Sequence, residues 1–287
     1  MRALVLFIGL LLTQAFPAAS QPAVCTAADS LEIVSWLAEA QQTAPKTAVT
    51  LHFARKMLGR PYVAHTLEAE GEERLIVNTR QLDCTTLVET VTALTLCTLH
   101  KQQSFADYVH WLTRLRYRNG TIDGYASRLH YFSDWIVCNQ QAKLVTELQQ
   151  PDPPFTALQH LHVNYMSTHP QSYSALRSQP QLVPIIARQE QQLTGLQFRY
   201  IPKALVSRSS LLRNVIQDGD IIAITTSKSG LEIAHLGFAV WQADGLHLLN
   251  ASQLHKKVVV EPMTLSQYLK RHPSHTGIRI IRINSNI

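Results

Sequence analysis

Charge is scarce in this 287-residue chain: Asp, Glu, Lys and Arg together make up 16% of it, and nowhere do they gather into a run. Hydrophobic residues supply 46%. That balance speaks against extensive disorder, because enough apolar surface is available to offset the entropy of ordering the chain. Cysteine is scarcer still, with Cys25, Cys84, Cys97 and Cys138 the whole set. Four in a chain this long do not make a disulfide scaffold, and no close Cys-x-x-Cys pairs exist to hold zinc. His160 and His162 lack a third ligand at metal-binding spacing, so they read as loop residues; neither a metal nor an organic cofactor is expected. Past the first residues no apolar run is long enough to cross a bilayer. The net charge of +6 and the pI of about 9.2 suit an acidic partner. No basic cluster is interleaved with aromatics, which sets nucleic acid aside.

What comes first is an address. Arg2 precedes an apolar run from Ala3 to Leu12, and Phe16-Pro17-Ala18-Ala19-Ser20 offers small residues for cleavage. This is the layout of a secretory signal peptide over residues 1–20, cut after Ser20, with Ala23 as the alternative. The run is short for a membrane anchor, and Val24 is too bulky to precede a lipid-modified Cys25. The chain is therefore expected to be exported, to a periplasm or out of the cell, with no stable membrane insertion after cleavage. Residues 21–287 read as a single catalytic domain with helical insertions.

Helices come early. Ser30 can cap one through about Gln42, another runs from about Thr47 to Leu58, and Gly59-Arg60-Pro61 stops it. Arg74 to Asn78 reads as a short strand. A strong helix starts at Cys84, with Leu87, Val88, Val91, Leu94 and Leu99 near helical spacing, and a further one covers Phe105 to about Arg116. From Gln150 to Pro184 prolines break the pattern into an excursion with local helix. Strand-like runs then follow at 219–224, 235–241, 246–251, 257–260 and 277–283, separated by turn residues. Helices first and strands last give an α+β class, with N-terminal helices packed on a C-terminal antiparallel sheet.

The segments suited to chemistry are short. In Leu82-Asp83-Cys84-Thr85-Thr86, Asp83 is a good N-cap and Cys84 falls on the first helical turn. Unpaired N–H groups and the positive end of the helix dipole favour a thiolate there and can hold an oxyanion, which is what acyl transfer from an amide needs. A small buried thiol near a helix end is the plain alternative. His235 opens a strand whose same-face neighbours, Gly237 and Ala239, are small enough to admit another element, so its imidazole could take the thiol proton. Asn250 ends the next strand and could orient that ring. Taken alone, one of 13 histidines is better explained by packing, and a turn asparagine at least equally well.

Several segments resemble, in order, the N-acetylmuramoyl-L-alanine amidase-like family of the NlpC-type papain-like cysteine hydrolases. They are Gly59-Arg60-Pro61-Tyr62, Leu82 to Glu89, Arg116 to Gly120, Ser127 to Trp135, Asp218 to Ile222, Ala234 to Phe238 and Asn250-Ala251-Ser252. The resemblance implies a papain-like core, with Cys84 as nucleophile and His235 as base. Asn250 is the orienting residue, where many relatives are expected to carry His. The implied substrate is a peptidoglycan or muropeptide amide: by first choice the MurNAc–L-alanine bond, by second a D,L-endopeptidase cut within the stem peptide. In Ser127–Trp135, Arg128 is expected to grip a carboxylate, and His130, Tyr131 and Trp135 belong to the same polar-aromatic cluster. Tyr62 and Asp83 are expected to border the cleft. The rival classes are a non-catalytic wall-binding protein and an enzyme transferring the acyl group to an amine.

Overall fold

The computed structural model describes residues 22–43, 49–68 and 71–285. The apolar run and the cleavage position after Ser20 lie outside them. The first half is helical: α1 (Ala27–Thr43), α2 (Val49–Lys56), α3 (Cys84–Leu99), α4 (Phe105–Arg116) and α5 (Phe132–Gln141). Next come β1 (Val145–Leu148), β2 (Ala157–His160), α6 (Tyr165–Thr168), α7 (Ser174–Ser178), α8 (Val183–Leu193), β3 (Gln197–Pro202) and α9 (Ser209–Arg213). The chain closes with β4 (Ile221–Thr226), β5 (Ile233–Gln242), β6 (Gly245–Ser252), β7 (Lys257–Val260), α10 (Leu265–Arg271) and β8 (His275–Ile283).

The strands form one antiparallel sheet in the order β2-β3-β8-β4-β5-β6-β7, with β1 also paired to β8. The α+β expectation of helices followed by an antiparallel sheet is met. Strand β4 shows why the sheet sits mid-molecule. Ile221 and Ala223 join the core shared with the helices, while Ile222 and Ile224 join a second core on the other face. An unbroken apolar run is what a strand covered on both faces requires.

Helix α3 is the axis of the helical layer. It is buried from Thr86 to Thr98 on every side, so it exceeds the one-sided pattern read from its apolar residues. Two of its buried threonines return their hydroxyls to the preceding turn, Thr95 to the Val91 carbonyl at 2.8 Å and Thr98 to that of Leu94 at 3.1 Å. Glu89, equally buried, is met by Arg116 Nε at 2.7 Å.

Two sequence expectations change. Helix α1 starts at Ala27, because Thr26 and Asp29 cap it reciprocally: Asp29 N donates to Thr26 Oγ1 at 3.2 Å and Thr26 N to Asp29 Oδ2 at 3.0 Å. Ser30 lies inside the helix. In the stretch 74–78 only Ile76 pairs, through an isolated bridge to Val24, so it is no strand. The proline-rich excursion has a small core of its own, where Leu161, Val163, Met166, Leu176 and Ile186 pack with Tyr125 and Tyr131. Through β2 it also joins the sheet. Among the described residues no helix is long and apolar enough to cross a membrane.

Candidate active site

Cys84 is the first residue of α3. Asp83 caps the helix: its Oδ1 accepts the Thr86 N–H at 2.8 Å, and Thr86 Oγ1 accepts the Asp83 N–H at 2.9 Å. The Cys84 N–H and the Thr85 side chain are set against the Cys84 sulfur, and among the described residues the backbone N–H groups of Cys84 and Thr85 meet no oxygen acceptor. They remain directed at the helix mouth. The loop before the cap is fixed by Leu82 N to Pro61 O and Val63 N to Leu82 O, each 3.1 Å, so Tyr62 lies alongside. All four cysteines are free thiols.

His235 lies near the start of β5. The β4–β5 register passes from Ile224↔His235 to Thr225↔Ile233, skipping Ala234. Such a bulge re-aims the side chains around it. His235 Nε2 donates to Asn250 Oδ1 at 2.9 Å, and Asn250, fully buried, returns its Nδ2 to the Leu248 carbonyl at 3.3 Å. This fixes the tautomer, leaving the lone pair on Nδ1. A Cβ on Gly237 would stand 2.5 Å from the Leu249 carbonyl oxygen, so a residue without a side chain lets the strand carrying Asn250 come this close.

Cys84 and His235 line one pocket of about 230 Å³. The Leu236 backbone amide, next to His235, acts on the Cys84 sulfur and favours its charged form. Burial outweighs it. Together with the Asp83 charge, burial pushes the Cys84 thiol up to about 12. Burial likewise holds His235 below the ordinary imidazole value, against the hydrogen bond to Asn250. Both shifts favour the uncharged forms, thiol and neutral imidazole, over the ion pair. The donors expected to favour a helix-start thiolate are in place, and desolvation and the capping carboxylate oppose them.

Of the other expected site residues, His130 and Tyr131 line the pocket, whereas Tyr62, Asp83 and Arg128 do not. His130 donates Nε2 to the Tyr125 carbonyl at 2.9 Å, and burial holds it down to about 3, so it stays neutral. Tyr131 gives its hydroxyl to Glu190 at 2.6 Å. Arg128 corrects its expected role as a carboxylate grip. Its guanidinium is closed by Glu73 at 2.7 and 2.8 Å and by the Leu67 carbonyl at 3.0 Å, which braces the loop before the site. Trp135 is fully buried and stacks on Phe132, with ring centroids 4.9 Å apart, so it serves the core and cannot stack on substrate. His160 closes β2, and among the described residues no cluster could hold a metal. The pocket also includes residues that were not singled out, notably Glu68, Tyr125, Met166, Tyr173 and Glu232. Glu232 stands three residues before His235, which is the one cue the sequence offered.

The family described as AmiA-like, N-acetylmuramoyl-L-alanine amidase-like, matches residues 52–278. An N-acetylmuramoyl-L-alanine amidase from Bacteroides uniformis is 42% identical, with a TM-score of 0.78, over 83% of this chain and 99% of that one. A candidate xylanase from Bacteroides fragilis is also 42% identical, with a TM-score of 0.76, over 81% and 100%. A Legionella pneumophila protein of 22% identity and TM-score 0.70, covering 88% and 94%, speaks for the fold alone. Among curated proteins no relative matches.

Proposed function

The chain belongs to the N-acetylmuramoyl-L-alanine amidase-like family, and from that premise we propose that it hydrolyses a peptidoglycan amide by cysteine catalysis. The bond is that between the MurNAc lactyl group and L-alanine, with Cys84 as nucleophile and His235 as base. One observation carries the reading. A thiol at a helix start and an imidazole pinned by Asn250 at 2.9 Å, brought by separate layers of the fold, line the same pocket. A helix-borne thiol packed on an antiparallel sheet that carries the His and Asn is also the reason for reading the core as papain-like, of the NlpC type.

In the reaction, Nδ1 of His235 takes the thiol proton as the sulfur attacks the carbonyl carbon. The N–H groups of Cys84 and Thr85 hold the oxyanion. His235 then protonates the departing amine nitrogen, and the C–N bond breaks to leave a thioester. Water, deprotonated by the same imidazole, releases the acid and the thiol. Asn250 keeps the ring in the tautomer that both transfers need. The N-terminal apolar segment supports export to the compartment that holds the wall.

Digestion of purified muropeptides with mass analysis of the products tests this. Intact free stem peptide is the expected product. Truncated stem peptide would assign the endopeptidase reaction. A cut glycan with the lactyl amide intact, or full activity after Cys84 is alkylated, would overturn the reading.

A further inference from the structure

The pocket is acidic in a basic protein. Glu68 and Glu232 line it, and no Lys or Arg stands among its described lining residues. On one wall, Glu68 accepts the Ser174 hydroxyl at 2.5 Å and lies 3.7 Å from Arg128, with its side chain 23% exposed. Arg128 is already matched by Glu73. One guanidinium therefore serves two carboxylates. The other wall repeats the imbalance. Glu232, 3% exposed, takes the Ser133 N–H on Oε1 at 3.0 Å, while its Oε2 has no donor. The guanidinium that acts on it, Arg279, is clamped by Glu147 at 2.5 and 3.1 Å. Burial pushes the Glu232 carboxyl up; a buried carboxyl oxygen without a donor is costly, and a cation brought into the pocket would offset that cost.

We infer that Glu68, backed by Glu232, forms a subsite for a primary ammonium of the substrate. Glu68 is the accessible partner and makes the contact; Glu232 backs it with the acceptor oxygen that has no donor. A neutral amide N–H could donate a hydrogen bond but would leave the charge uncompensated. Two sources carry this group: the side-chain amine of a diamino residue in a stem peptide, and the free α-amine of a peptide already stripped of glycan. The subsite rests on the amidase reading for its substrate but not for its charge.

The test uses the full protein and paired synthetic MurNAc-peptides, identical except that the diamino residue's side-chain amine is free or acetylated. A third, glycan-free peptide has the side chain acetylated and the α-amine free. Acetylating the side-chain amine is expected to raise KM about tenfold at nearly unchanged kcat, the scale of one charge-assisted hydrogen bond. Glu68→Gln is expected to raise KM equally on the free-amine substrate and to erase the difference within the pair. A KM rise shared by both members would mean only a loosened Ser174 tether and would overturn the subsite, as would indifference to every amine. If neither MurNAc-peptide is cut at its lactyl amide, the amidase reading fails. Calorimetry of Cys84→Ala with the same peptides then decides the subsite alone: tighter binding of a free amine, lost in Glu68→Gln, supports it, and equal binding sinks it. Preference for the glycan-free peptide would identify the α-amine as the source.

Discussion

Alkylation of Cys84 measures directly whether the site rests as a neutral pair. The thiol is raised from 9.0 to about 12 by burial and by Asp83, so at neutral pH its thiolate fraction falls roughly a thousandfold relative to an ordinary cysteine. A more basic thiolate is also a better nucleophile, and a Brønsted slope of 0.4–0.5 over three units recovers roughly fifteen- to thirtyfold. Iodoacetamide should therefore modify Cys84 about thirty- to sixtyfold more slowly at pH 7 than it modifies a free cysteine peptide. The rate should climb about tenfold per pH unit through pH 9 with no plateau. Peptide mass spectrometry resolves Cys84 from the exposed Cys25. A flat rate between pH 5 and 8, or a rate above the reference peptide, would show a thiolate–imidazolium ion pair and refute the reasoning. Turnover must then depend on proton removal during attack. Because His235 is held below 6.5, the acid limb of kcat/KM should fall below that value, with activity rising as the imidazole loses its proton.

Further outcomes follow from single contacts. Cys84→Ala and His235→Ala should each abolish turnover while leaving the near-ultraviolet circular dichroism unchanged. Asn250→Ala removes the acceptor of the His235 Nε2–H at 2.9 Å; losing about 1–3 kcal/mol should slow kcat by roughly ten- to a hundredfold, less than either. A loss equal to that of His235→Ala would mean that Asn250 does more than orient the ring. Gly237→Ala drives a methyl to 2.5 Å from the Leu249 carbonyl, so stability measured by urea unfolding should drop by about 1–3 kcal/mol or more, with a lower midpoint. An unchanged midpoint would show that β5 and β6 can separate freely. Glu73→Gln leaves the buried Arg128 guanidinium short of its partner, with an expected cost of about 3 kcal/mol in the same assay. Burial raises the Asp29 carboxyl, but hydrogen bonds from Thr26 and Thr79 outweigh it and hold the group at about 2 against an ordinary 3.8. That contributes about 2 kcal/mol above pH 4, lost as pH falls toward 2, so Asp29→Asn should flatten stability over this range where wild type declines.

The elements that were legible are those whose local chemistry is complete within a few residues. The helix starting at Cys84 has its Asp83–Thr86 box within four positions, and Phe105–Arg116 has Ser104 and Asp107. The strands 221–226, 233–242 and 245–252 carry their apolar patterns intact. What was missed depends on partners far along the chain. β1 is four residues whose reason to extend is β8, more than 130 positions later. Val183–Leu193 is a helix opening on Val183-Pro184, where the sequence reads as ending the proline-broken stretch that starts at Gln150. Arg74–Asn78 has strand-like residues but finds a single bridging partner, and an extended segment without a ladder remains a loop.

The same distinction divides the site. Cys84 could be nominated because a helix start favours a reactive thiol locally, whereas His235 can be nominated only with the help of the family resemblance. Arg128 could not be assigned from its neighbourhood. The dense Ser127–Trp135 segment looks like a substrate grip until Glu73, 55 positions upstream, is seen to fill the guanidinium. An arginine's function is set by the carboxylate that reaches it first, and within the protein that contest is decided by the fold. The pocket's acidity arises in the same way. Glu68 and Glu232 lack a guanidinium of their own because the nearest ones are engaged by Glu73 and Glu147, a shortage that no count of charges in a chain of net +6 could reveal.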